Sequence, residues 1–210
     1  VRVALALALA LASLLPGCAS REAGLEVVVH AEVTRSVTMP QLDVARLTLT
    51  SARAVPCLEV MAQHLSPISS AWAHGAGGDP TASPLRAVFD VAVDLATPGR
   101  TTLATLRPPP GTWCGLEVTF GPSGSEASWG GTTLLVEATK AGVGRRYVAN
   151  AVRTLQLPLL ARTLSASSRH HELVVQLDPA PLSSLEPAAS DARRELLDSL
   201  VASVSLSTLE

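Results

Sequence analysis

Between positions 85 and 95 every second residue is apolar: Leu85, Ala87, Phe89, Val91, Val93 and Leu95, with Arg86, Asp90 and Asp94 among the residues between them. Neighbouring side chains on a strand point to opposite faces, so a period of two commits one face to a core and the other to water. A helix would scatter the same residues around its axis. The pattern recurs in Leu25, Val27, Val29, Ala31 and Val33, and in Ala45, Leu47 and Leu49 set against Arg46, Thr48 and Thr50. It returns in Cys114, Leu116, Val118 and Phe120, which leaves Trp113, Glu117 and Thr119 on the polar face. Residues 101–106, 132–138, 146–157 and 172–177 read as further strands, the third with the least regular pattern. Turn chemistry separates these runs: Met39-Pro40, Pro98-Gly99, Pro108-Pro109-Pro110-Gly111 and Asp178-Pro179.

One segment has a different period. Leu196, Leu197, Leu200, Val201 and Val204 repeat at i, i+1, i+4, i+5 and i+8, behind an N-cap at Ser190 and with Arg194 and Asp198 facing away. The spacing predicts a helix over about 190–204. Roughly seven or eight strands and one C-terminal helix predict an all-β protein, an antiparallel β-sandwich of immunoglobulin or prealbumin type. A lipocalin-like barrel is the alternative.

Residues 1–18 are built differently: a basic residue (Arg2), an apolar run from Val3 to Leu15, then Pro16-Gly17-Cys18. This is the layout of an export signal, and the apolar run is shorter than the roughly 20 residues of a spanning helix. Leu15-Pro16-Gly17-Cys18 is similar to the lipobox of bacterial lipoproteins, with Pro16 standing where a small residue is usual. The resemblance implies acylation at Cys18, whose thiol is the nucleophile, and removal of residues 1–17. Residues 18–24 then form a tether and 25–210 a single domain. The expected partner is a lipid bilayer, the expected site the outer membrane facing the periplasm, with an envelope protein as a further partner.

The chain has 3 cysteines. With Cys18 lipidated, Cys57 and Cys114 remain, and an oxidising compartment makes a disulfide the default for the pair. Charges nearly balance, 16 basic against 18 acidic, so no nucleic-acid partner is expected.

Catalytic motifs are missing from the sequence: it has no Gly-x-Ser-x-Gly, no His-Glu-x-x-His and no phosphate loop. We expect no enzyme. The stretch 58–84 holds Met61, His64 and His74, a thioether and two imidazoles suited to copper, as the alternative to a chain without a cofactor. His170 and His171 adjoin a strand, where they would point apart and be solvated. His30 falls on the polar face of the first strand. Trp113, on the polar face of its strand, and Trp129, in a loop, suggest a small exposed binding patch.

Residues 45–50, residues 87–94 and the run Pro110-Gly111-Thr112-Trp113-Cys114-Gly115-Leu116-Glu117-Val118-Thr119-Phe120-Gly121 resemble the MbnP-like family of exported β-sandwich proteins, some of which bind copper. The resemblance implies a sandwich. That family's Asn-His after the glycine-ended strand is replaced here by Pro122-Ser123, so no ligand is carried over.

Overall fold

The computed structural model describes residues 25–34, 42–57, 84–109, 111–124, 130–140, 143–164, 170–184 and 190–209. Ten strands are described: β1 (Glu26–Val33), β2 (Leu42–Pro56), β3 (Arg86–Asp94), β4 (Gly99–Leu106), β5 (Gly111–Phe120), β6 (Leu134–Lys140), β7 (Val143–Ala149), β8 (Arg153–Leu164), β9 (His170–Leu177) and β10 (Ser205–Leu209). A 3₁₀ turn (Ala180–Ser184) and one helix, α1 (Ser190–Ala202), lie between the last two strands.

The strands form two sheets. The first runs β10-β9-β1-β4; the second runs β7-β6-β2-β5-β8, with β3 also paired to β2. β2 pairs β6 over residues 42–47, β5 over 49–56 and β3 over 46–53. A strand has two edges, so β5 and β6 share one of them, each taking half its length. Thr50 is skipped in both the β3 and β5 registers, and this bulge shifts the phase of β2 by one residue. The core-facing set accordingly changes from Ala45, Leu47 and Leu49 to Ala52 and Ala54. The sequence pattern stops being readable at the bulge.

All pairings are antiparallel except β1 with β9, which run parallel from Glu26↔His170 to Val33↔Leu177. The described strands make an all-β sandwich with one short helix, as expected, and do not close into a barrel. The inward residues of β1, from Leu25 to Val33, are all buried, as are Val93 and Leu95 at the end of β3. Both inner faces contribute to one apolar core.

Several expectations need correction. The single strand expected over 146–157 is two, β7 and β8, separated by residues 150–152. β8 contains Pro158 and pairs only with β5 among the described strands; an edge is where a sheet tolerates a residue without an N–H. The chain around Pro181 is the 3₁₀ turn, which buries Leu182 completely. The helix ends at Ala202, two residues early, where the Ser203 N–H donates to the carbonyls of both Ser199 and Leu200. The chain then adds β10 to the first sheet. The stripe of α1 is placed as expected: Leu196, Leu197, Leu200 and Val201 join the core, and Arg194 and Asp198 are exposed. No helix among the described residues is long and apolar enough to cross a membrane.

Candidate functional site

The registers bring the start of β1, β3, β5 and β9 and the ends of β2 and β4 to one end of the sandwich. Val27 faces Leu106, Glu26 faces His170, Pro56 faces Trp113, and Arg86 faces Arg53. Two features occur there.

The first is a bulge at Cys114. In the ladder with β2, Pro56 pairs Trp113 and Val55 pairs Gly115; in the ladder with β8, Trp113 pairs Arg162 and Gly115 pairs Pro158. Cys114 is skipped by both. Freed from the ladder, its side chain meets Cys57 in a disulfide, with the two Cα atoms 4.7 Å apart. The expected pair is therefore joined, but not from the core face. The extra residue reverses the phase of β5, so Cys114 is only half-buried while Trp113 turns inward with 5% of its surface exposed. This corrects the exposed patch expected at Trp113. Past the bulge Leu116, Val118 and Phe120 are buried as the pattern requires.

The second feature is a small pocket between the sheets, a cavity of about 20 Å³ lined by Val27, Pro108, Trp113, Leu159, His171 and Leu173. Its walls are almost wholly apolar. Trp113 Nε1 and His171 Nε2 are both buried and both lack a hydrogen-bond partner. A buried polar atom left unpaired costs about 1–3 kcal/mol. The space matches one water-sized guest. An indole N–H donates, and a neutral imidazole nitrogen donates or accepts according to tautomer. Each ring nitrogen therefore has a free hydrogen-bonding position.

His170 and His171 do point apart, but only His170 is exposed. His171 shares the inward phase of Leu173, Val175 and Leu177, a signal already present in the sequence. His30 lies on the outer face with a side chain only 13% exposed. Its Nδ1 lies 3.2 Å from Thr102 Oγ1, and its Nε2 is 3.7 Å from Glu172 Oε2. Glu172 also draws His170 Nε2 to 3.5 Å and Arg100 Nη1 to 3.9 Å, while Arg100 Nη2 holds Glu32 at 3.3 Å. The carboxylate is the hub of an ionic ladder across β9, β1 and β4. His30 and His170 approach different oxygens of it. Among the described residues no group of three or more His, Cys, Asp or Glu is disposed to hold a metal ion.

Of the other candidate positions, Cys18, Met61, His64, His74 and Trp129 lie outside the described residues. Two ionisable groups away from the pocket depart from their ordinary values. Asp198 on α1 is held below the usual carboxylate range by the hydrogen bonds that Arg153 donates, and Arg153 is raised by the same contact. No protein family, curated protein or solved structure matches this chain.

Proposed function

We propose that the chain is a lipid-anchored protein of the bacterial cell envelope, a β-sandwich held at a membrane through acylated Cys18 and serving a binding or structural role. The observation that carries this reading is Leu15-Pro16-Gly17-Cys18 directly behind the apolar run from Val3 to Leu15. A thiol is the group that an acylation reaction of this kind needs, and the small Gly17 before it leaves room for a processing enzyme. The Cys57–Cys114 disulfide supports the same compartment, because disulfides persist where the surroundings are oxidising. One acyl chain binds a bilayer only marginally and two or more bind it stably, so anchoring of this kind implies more than one chain on the cysteine. The binding element in this reading is the pocket at Trp113 and His171, which suits a small hydrogen-bonding guest.

The test is metabolic labelling. Cells expressing the full chain or its Cys18→Ser variant are fed a labelled fatty acid, and membrane and soluble fractions are compared. The expected result is label and membrane retention for the parent chain and loss of both in the variant. Equal label and equal retention in the two proteins would overturn the proposal.

A further inference from the structure

Resting on the lipid-anchored reading, we infer that one end of the sandwich, the end where β1 begins, lies against the bilayer and engages anionic lipid phosphates through Arg86 and Arg107. Three observations converge on it.

The first is reach. Cys18 and Leu25 are seven residues apart, so the tether spans at most about 25 Å when fully extended. β1 has 8 residues, a length of roughly 26 Å. The tether enters at the start of β1, and even stretched taut along the body it would only bring the far end level with the surface. The near end is the one that meets the membrane.

The second is charge. Among the described residues of this end, the exposed ionisable groups are Arg86, Arg107 and His170. The three described carboxylates there are half-buried, and two of them are engaged: Glu117 by Arg53 at 2.9 Å, and Glu172 by the ladder of His30, His170 and Arg100. Glu26 is the third. The opposite end exposes both signs, Asp43 and Asp94 together with Arg100 and Arg146. Among the described residues, the near end presents exposed charge of one sign and the far end does not.

The third is placement. The Arg107 N–H donates to the Pro84 carbonyl at 3.1 Å, and Leu85 accepts from the Ala54 N–H at 2.8 Å. The first bond ties the segment entering β3 to the segment leaving β4 and the second ties it to β2, so the backbone at both arginines is held at this end of the sandwich, with Arg86 Nη2 also donating to Ser51 Oγ at 3.4 Å. A basic residue held at an anionic surface strengthens partitioning by about fivefold.

The experiment uses the acylated full chain, purified from membranes and reconstituted into vesicles of phosphatidylglycerol and phosphatidylcholine that carry a nitroxide on some headgroups. A fluorophore is placed on a single added cysteine, at Thr105→Cys near the start of β1 or at Thr97→Cys beyond its far end; both positions are exposed. The expected result is quenching several-fold stronger at position 105 than at 97. That contrast should shrink in pure phosphatidylcholine vesicles and in the Arg86→Glu/Arg107→Glu variant, with acylation and thermal melting unchanged. Equal quenching at the two positions, or a contrast indifferent to charge reversal, would overturn the orientation while leaving the anchor intact. A chain that carries no acyl group and stays in the supernatant would overturn the anchored reading and the orientation with it.

Discussion

Arg153, the first residue of β8, grips Asp198 on α1 through two hydrogen bonds, Nε to Oδ1 at 2.5 Å and Nη2 to Oδ2 at 3.3 Å. The contact joins the helix to the second sheet from outside the core. Its pH dependence follows from the carboxylate. The folded protein holds Asp198 below its ordinary range, chiefly through the Arg153 hydrogen bonds, so the folded state binds the proton less readily than the unfolded chain. The contribution is therefore present above the unfolded value and fades as pH falls through the folded one. Asp198→Asn should lower Tm near neutral pH by on the order of 1–2 °C, since the pair is solvent-exposed. In acid below the folded value the variant and the parent should melt together. Thermal scans across that window decide it; a deficit that persists in strong acid would mean the asparagine harms the helix some other way.

Reduction of Cys57–Cys114 releases a closure spanning 57 residues. In the chain-entropy account such a bridge contributes about 4 kcal/mol, mainly by restricting the unfolded chain. Urea unfolding of the oxidised protein against the Cys57→Ser/Cys114→Ser protein should show a lower midpoint for the latter. The slope should be steeper as well, because an uncrosslinked chain exposes more surface. An unchanged midpoint would mean that the bridge adds little beyond the ladders around it.

Where the chain holds a strict alternation, its sequence was enough to place it. β1 and β3 follow the pattern at every inward position, and the stripe of α1 packs as its spacing demands. Legibility failed at two single-residue bulges, Thr50 and Cys114, because an inserted residue reverses every following side chain while leaving the composition untouched. Trp113 was misassigned for that reason alone. His171 was a different failure: its phase with Leu173 and Val175 was visible, but a histidine at the head of a strand reads as polar until the partner sheet is known. The parallel pairing of β1 and β9 had no local signal, since it depends on residues some 140 positions apart.

Gly115 follows the bulge where β5 and β8 come close. A Cβ there would stand 3.0 Å from the Leu157 carbonyl oxygen and 3.6 Å from Val55 Cβ. The nearest obstacle is backbone, which cannot swing aside as a side chain can. Gly115→Ala should cost about 1–3 kcal/mol by overpacking. Gly99 has nothing within 4 Å of the same built atom, so Gly99→Ala serves as the control and should be neutral or slightly stabilising. Chemical denaturation of both variants checks the contrast. Equal behaviour would show that β8 yields at Leu157.

Trp113 separates the packing of the sandwich end from its hydrogen-bonding capacity. Trp113→Ala removes a buried indole from the core and should cost about 3–5 kcal/mol. Trp113→Phe keeps an aromatic ring but deletes Nε1, an atom with no partner in the fold, so the lost volume is offset by relief of an unpaired buried donor. Its cost should be well under half that of the alanine variant. The two effects divide further at His171, which lines the same pocket and whose Nε2 also lacks a partner. If the two nitrogens hold a shared guest, Trp113→Phe and His171→Phe should each destabilise, and the double variant should cost less than the sum, as residues acting on one partner do. Urea unfolding of the four proteins closes the cycle. Strict additivity would mean that each ring serves only to fill space.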